Sequence, residues 1–453
     1  MTTLVSPVTS LRGSVNDLPA DKSVAHRAAL LAGISRGKSI ITNYSLAADP
    51  QSTLDCLRQL GVALEVSSKG STVAIHGKGR HALSSGPSGD GILDCGNSGT
   101  TMRLLSGIVA GANLEVCLSG DDSLSQRPMG RVLKPLQQMG TRWHTNEGPA
   151  EEVESPKAPL FFRKHKGLQG IRYELPMPSA QVKSCLLLAG LYASGETEVV
   201  EFTPSRDHTE RMLGLETQYN ADGSRIIKSS RDVELAGFDM RIPGDISGAA
   251  FWMAAGSIVK DADIRIANVG MNPSRAAVVD ILKRMGADVQ VLRDKEQGEH
   301  TGNNGSGEPV ANLHIRPAAL KATPLKRSEI PNAIDEIPVL AVAMCFAEGT
   351  SEVRNAKELR KKETDRIAAV VDMIQRAGGN IQEYKDGFSI AGDPEFVPRA
   401  TTYDSYHDHR IAMAASILSL RAAAGGQSYI ENAECVDISY PNFYEHLKQL
   451  TKS

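Results

Sequence analysis

Six segments of the chain share one pattern. A polar or glycine-rich start leads into a run of Ala, Leu, Ser and Gly about three helical turns long, and a short strand-like stretch follows. They are DKSVAHRAALLAG from Asp21, GNSGTTMRLLSGIVAG from Gly96, PSAQVKSCLLLAGLYASG from Pro178, GDISGAAFWMAAGSIV from Gly244, DEIPVLAVAMCFAEGT from Asp335 and DHRIAMAASILSL from Asp408. Runs that are apolar around most of their circumference and rich in small residues predict helices buried on all sides. The stretches KSIITN, NLEVCLSG, ETEVVEF, ADIRIANV, TSEVRNA and QSYIENA predict a strand after each. An amphipathic helix with a glycine stop comes next, clearest in DPQSTLDCLRQLGV, RPMGRVLKPLQQMG, NPSRAAVVDILKRMG and KETDRIAAVVDMIQRAGG.

The copies begin roughly 65 to 90 residues apart, longer than solenoid periods, so each reads as a compact supersecondary unit. Six such units predict two groups of three. Each lobe would hold its small-residue helices inside and its sheets and amphipathic helices outside, with the helix starts turned toward a common cleft. One stretch breaks the scheme: Asp294 to Pro309, DKEQGEHTGNNGSGEP, is polar and glycine-rich between VQVLR and ANLHI and reads as a surface hairpin loop.

Length and charge narrow the picture. A chain of 453 residues is too long for one ordinary core. A formal net charge of -3 provides no global field for nucleic acid or an acidic membrane, so any anion site must be built locally. The longest apolar run, Val339 to Ala347, falls short of the roughly 18 residues that span a bilayer. The start MTTLVSPVTSLRGS lacks a charged region followed by an apolar one, and the expected location is the cytoplasm. Cys56, Cys95, Cys117, Cys185, Cys345 and Cys435 form no C-x-x-C pair and are expected to be small buried residues, not metal ligands or disulfides.

The polar helix starts carry the candidate chemistry. Free N–H groups at a helix start attract an anion, and Lys22, Ser23, His26 and Arg27 would add donors at the first. A helix terminus contributes only about 0.3 to 1 kcal/mol, against about 1.5 to 3 for a charged hydrogen bond, so side chains must supply the affinity. In GNSGTT, Gly96 and Gly99 permit close backbone approach beside Asn97, Ser98 and Thr100. Neither G-K-[ST] nor G-x-G-x-x-G is present, which disfavours those nucleotide-binding loops. Arg127 can reach an anion at this start, whereas Arg103 is expected to brace the loop or point at solvent. Ser179, Gln181 and Lys183, with Ser205, Arg206 and His208, form a second polar set suited to a polyhydroxylated ligand.

The densest motif is ELRKKETDRIAAV from Glu358, where helical spacing predicts Lys362 and Arg366 on one face with Glu363 beside them. Asp335 and Glu336 open an otherwise apolar helix. Carboxylates beside Lys22, Lys362, Arg366 and Arg410 are candidates for proton transfer, since cations keep them ionised. His409 completes no metal-ligand spacing and reads as structural.

In order and over nearly the whole chain, ADKSVAHR, DCGNSGTTMRLLSG, QRPM, PSAQVKSCLLLAG, PSRDHTERML, GDISGAAF, IDEIPVLAVA, ELRKKETDRIAA and YHDHRIAMA resemble the motifs of the 5-enolpyruvylshikimate-3-phosphate (EPSP) synthase family. The resemblance implies an α/β (α+β) fold, a two-lobed inside-out α/β barrel whose lobes each hold three βαβαββ-type repeats with buried parallel helices. Its two crossings would fall near Ala20 to Ser23 and Pro243 to Asp245. One lobe would be 24–243, mainly the shikimate 3-phosphate side. The other would combine 1–23 with 244–453, the active site lying in the cleft between them.

The implied reaction moves the enolpyruvyl group of phosphoenolpyruvate to the 5-hydroxyl of shikimate 3-phosphate and releases phosphate. By position, Ser23, Arg27, Ser179, Ala180, Gln181, Ser205, Asp335 and Lys362 would contact shikimate 3-phosphate, with Arg206 also binding substrate. Lys22, Gly99, Arg127, Arg366 and Arg410 would hold phosphoenolpyruvate, and Lys22, Asp335 and Glu363 would move protons. The family further implies a monomer and a glyphosate target, with no metal, organic cofactor, nucleic acid or membrane partner. The same fold also admits a specialised enolpyruvyl transferase with a different acceptor. UDP-N-acetylglucosamine enolpyruvyl transferases usually carry a cysteine in the loop that here spans Gly120 to Gly130, and none is present. Four positions differ from the family pattern: Ala20, Ala25, Gly248 and Asp437.

Overall fold

The six small-residue runs form the helices Lys22–Ile34, Gly99–Gly111, Ala180–Gly190, Ile246–Ile258, Ile337–Cys345 and His409–Ser419 in a computed structural model of the chain. The structure describes residues 1–45, 47–67, 71–84, 91–150, 152–292 and 307–452. Local chemistry starts five of these helices. Asp21, Ser98, Ser179, Asp245 and Asp408 each accept a hydrogen bond from a backbone N–H of the first turn, a cap that contributes about 1 kcal/mol. The Ile337 helix starts after Glu336 with no side-chain cap and with Pro338 in its first turn.

These helices are buried nearly all round. In Ile246–Ile258 every residue except Gly248 is buried. Small residues permit that packing: a Cβ on Gly107 would fall 2.2 Å from the carbonyl oxygen of Cys185, so the Gly99 and Ala180 helices meet backbone to backbone.

The chain divides into two compact units. One contains 20–243 together with the described residues 307–309; the other contains 1–19, 244–292 and 310–453. Among the described residues each unit has its own hydrophobic core and three sheets. In the first unit the strand after each buried helix takes a central place. Arg36–Thr42 runs parallel to Asp239–Arg241 and antiparallel to Thr72–Lys78. Val116–Ser119 lies likewise between Ile92–Asp94 and Leu160–Arg163, and Thr197–Glu201 between Arg172–Glu174 and Arg225–Ser229.

The second unit repeats the arrangement and draws its parallel or antiparallel partners partly from the N-terminus. Asp261–Gly270 pairs parallel with Ser10–Val15, and Ser428–Glu431 pairs antiparallel with Thr3–Val5. In the remaining sheet Gly349–Val353 pairs with Gly387–Gly392, and a parallel bridge from Lys321 to Glu348 completes the pattern. Among the described residues the chain passes between units at Pro19/Ala20, Pro243/Gly244 and Pro309/Val310. Asp21 N donates to Pro243 O within one unit at 2.9 Å, and Asp245 N to Pro19 O within the other at 2.7 Å.

The amphipathic helices are Ala48–Gln59, Gly130–Gln138, Ala277–Arg284 and Arg366–Arg376. The last differs from the continuous helix expected for ELRKKETDRIAAV. Lys357–Lys361 is a 3-10 turn, Lys362 is extended, and the α-helix begins only at Arg366. Asp365 is the cause: its carboxylate caps Ile367 N and Ala368 N and also holds Arg360, which stops the turn from continuing into the helix.

Of the polar stretch 294–309, residues 294–306 lie outside the described residues. Glu308 departs from a surface reading, being buried and bonded to His208 Nδ1 at 2.7 Å. All six cysteines are buried and free. Among the described residues no helix is long and apolar enough to cross a membrane.

Candidate active site

Two charged clusters collect the candidate residues, one in each unit. In the unit that contains 310–453, Asp335 follows the short helix Ile330–Ala333 and precedes the Ile337 helix. Its Oδ1 receives Lys362 Nζ at 3.1 Å and Arg366 NH1 at 3.4 Å. Lys362 and Arg366 thus converge through a shared carboxylate and not through helical spacing. Arg366 is 1 % exposed and holds two more carboxylates: NH2 donates to Glu363 at 2.6 Å and Nε to Asp408 at 2.7 Å.

Arg410 NH1 donates to the Asp335 carbonyl at 2.8 Å and lies 3.6 Å from Glu336. Burial alone would lower the Arg410 guanidinium; Asp335, Glu336 and Asp245 outweigh it and raise it instead. Around Arg366 the carboxylates differ in access, since the Asp408 side chain is fully buried, Asp335 is 15 % exposed and Glu363 is 48 % exposed. Glu363 is therefore the acid best placed to exchange a proton with an incoming molecule.

Residue-type reasoning passes over a supporting layer beneath this cluster. Ser247 Oγ donates to Glu336, and Arg275 NH2 donates to Ser247 Oγ and Asp245 Oδ1, both at 2.9 Å. Burial raises Glu336 above the usual carboxylate range, against the opposing pull of Arg410, Arg275 and the Ser247 bond. Asp245 and Asp408 stand at two of the polar helix starts read from the sequence, whereas nothing in sequence marks Arg275.

The other cluster lies among the starts of the Lys22, Gly99 and Ala180 helices. Lys22 Nζ is 3.5 Å from Asp49 Oδ2. Arg27 is buried and donates to Thr209 Oγ1, Ser23 O and Ser184 Oγ at 2.8, 2.8 and 2.9 Å. Burial lowers it to about 10, with Arg206 also lowering it and Glu210, Asp21 and Glu308 opposing. Two of its five N–H groups remain for a ligand.

Ser205 donates its hydroxyl to Glu201 Oε2 at 2.8 Å, so it must turn to donate to a phosphate. Ser179 caps the helix that Ala180 begins. Arg127 NH2 donates to Asn97 Oδ1 at 2.7 Å, and a Cβ on Gly99 would lie 3.5 Å from Arg127 NH1 and 2.9 Å from Arg103 NH1.

Three expectations change with burial. His26 is no anion donor: Nδ1 bonds Thr53 Oγ1 at 2.7 Å, and burial, with Lys22 and Arg27 nearby, lowers the ring to about 3 and keeps it neutral. Lys183 does not face a ligand but lies wholly buried between Glu201 at 2.7 Å and Glu210 at 2.6 Å. Arg103 neither points at solvent nor merely braces a loop; it is buried against Gln181. Asp437, one of the four differing positions, is exposed on the turn Ala433–Ile438 and makes no ion pair among the described residues. Nor, among the described residues, does any group of three or more His, Cys, Asp or Glu side chains lie placed to hold a metal ion.

The model of the family described as EPSP synthase (3-phosphoshikimate 1-carboxyvinyltransferase) matches residues 5–447. The 3-phosphoshikimate 1-carboxyvinyltransferase of Salinibacter ruber is 47% identical over 456 residues, covering 100% of both chains. That of Citrifermentans bemidjiense is 42% identical, covering 98% of each. Among solved structures, EPSP synthase from Acinetobacter baumannii superposes with a TM-score of 0.87 at 37% identity, covering 99% of this chain and 98% of that one. The enolpyruvyl transferase NikO from Streptomyces tendae shares the fold, with a TM-score of 0.73 at 16% identity over 99% and 97% of the two chains.

Proposed function

The chain belongs to the EPSP synthase family, and from that membership we propose that it transfers the enolpyruvyl group of phosphoenolpyruvate to the 5-hydroxyl of shikimate 3-phosphate, releasing phosphate. The observation that carries the chemistry is Asp335, held between Lys362 and Arg366 with Glu363 on the same guanidinium. Addition requires a base for the 5-hydroxyl proton and an acid for the methylene carbon of phosphoenolpyruvate. Elimination then returns a proton from the new methyl group and expels phosphate.

Asp335, bonded to two cations, takes the hydroxyl proton. Glu363, the most exposed acid of the set, serves the methylene carbon, passing on in the addition a proton it has taken up from solvent and recovering one from the methyl group in the elimination. Lys22 donates to the departing phosphate. Arg366 and Arg410, with Arg127 and the backbone at Gly99, bind the phosphate and carboxylate of phosphoenolpyruvate. Ser23, Arg27, Ser179, Ala180, Gln181, Ser205 and Arg206, together with Asp335 and Lys362, bind shikimate 3-phosphate. Oxidation states are unchanged and no group carrier intervenes, so neither step draws on an organic cofactor.

Glyphosate inhibition belongs to the same proposal, supported by the absence of a methyl group at Gly99. Mixing the protein with phosphoenolpyruvate and shikimate 3-phosphate should release phosphate and form the enol ether; no phosphate from folded protein overturns the proposal. The same assay with glyphosate present tests inhibition.

A further inference from the structure

Arg103 is the charged residue buried within the Gly99 helix. It is 9 % exposed, and among the described residues no carboxylate pairs with it and its Nε has no partner. Burial and the neighbouring Arg131 and Arg127 lower it to about 10, so it stays charged at neutral pH. A buried cation without a counter-ion weakens folding, so a role other than stability must account for it.

Its contact supplies that role. Arg103 NH1 donates to Gln181 Oε1 at 2.7 Å, and Gln181 Nε2 donates to Thr100 Oγ1 at 3.1 Å. Thr100 and Arg103 are three residues apart on one helix face and grip both ends of a single side-chain amide. A guanidinium has donors only, so the amide oxygen must face it and the nitrogen must face Thr100. One N–H and one oxygen lone pair of Gln181 remain for a ligand.

We infer that Arg103 is a positioning residue for Gln181, locking its amide in the orientation that offers a donor to shikimate 3-phosphate. The inference rests on the assignment of Gln181 to that substrate. Without Arg103 the amide is free to turn over and exchange donor for acceptor. The loss then falls on acceptor affinity and not on the chemical step.

The test compares Arg103→Met, Arg103→Lys, Gln181→Ala and the double variant Arg103→Met/Gln181→Ala. It reads KM for each substrate, kcat, and shikimate 3-phosphate binding without phosphoenolpyruvate. Gln181→Ala and Arg103→Met should each raise the shikimate 3-phosphate KM about tenfold. For Arg103→Met the phosphoenolpyruvate KM and kcat should change less than about threefold. The double variant should be no worse than Gln181→Ala, and Arg103→Lys should recover part of the loss.

Multiplying losses in the double variant, or a rise confined to the phosphoenolpyruvate KM, overturns the inference. An effect of Gln181→Ala without one of Arg103→Met overturns it alone. No effect of Gln181→Ala instead removes the substrate assignment on which it rests. Should Arg103→Met not fold, Arg103→Lys in the wild-type and Gln181→Ala backgrounds makes the same comparison: a loss that vanishes in the second supports the inference, and a loss that persists overturns it.

Discussion

The acids near Arg366 and Arg410 differ in how far they are buried. Asp408 is fixed by a helix cap and a guanidinium, Glu336 is raised by burial, and Glu363 alone combines a cation with broad solvent access. Glu363→Gln should therefore leave shikimate 3-phosphate binding nearly intact while lowering turnover about 100-fold or more. Binding calorimetry beside a phosphate-release assay checks this, and unchanged turnover would exclude Glu363 from proton transfer. The residue scale also explains one departure from the family pattern. A Cβ at Gly248 would lie 3.3 Å from the Tyr440 ring and 3.4 Å from Leu18, so serine there would crowd a buried aromatic. Tyr440 is held by Trp252 Nε1 at 2.7 Å and His446 Nδ1 at 2.8 Å and has little room to yield.

The buried helices are joined to their neighbours by small polar contacts as well as by packing. His26 on the Lys22 helix meets Thr53 on the Ala48 helix, and Thr53 meets Thr101 on the Gly99 helix, each at 2.7 Å. Because the folded ring titrates near 3 against an ordinary 6.5, the unfolded chain takes up a proton first as pH falls. The contribution is complete above about pH 6.5 and shrinks toward pH 3, so about 2 kcal/mol of stability should be lost between about pH 7 and pH 5. Urea unfolding of wild type and His26→Gln across that range measures it; a variant with the wild-type slope would show that His26 is not the source. The element scale was partly legible. Small-residue runs and their polar starts lie within one turn of each other, so six helix starts can be read locally. The break at Asp365 was hidden, because helical periodicity continues across it while the capping carboxylate redirects the backbone.

At the scale of the whole molecule, the two cores differ in how they are assembled from the chain. Among the described residues, every core residue of one unit lies between Ala20 and Ile242. The other core takes in Val5, Leu11, Val15 and Leu18 together with residues from 246 to 450, and two of its sheets include N-terminal strands. A fragment of residues 20–243 should consequently unfold cooperatively in urea, whereas 244–453 alone should show no cooperative transition, lacking four buried side chains and two paired strands. Circular dichroism of both fragments decides it; cooperative unfolding of 244–453 would mean that the N-terminal strands are dispensable.

By itself the sequence determined the six-fold pattern, the helix starts, the family resemblance and the identities of Asp335, Lys362, Glu363, Arg366 and Arg410 as a candidate set. These follow from periodicity, caps and motif order, which act over a few residues. Tertiary structure alone decided which charges meet and which are buried. Asp335 is joined to Arg410 across 75 positions, Lys183 disappears between two glutamates, His26 becomes neutral and Arg103 turns inward to Gln181. The physical reason is that solvation and ionic partners depend on segments distant in the chain, and the same lysine or arginine is a solvated surface charge or a buried anchor according to what packs over it.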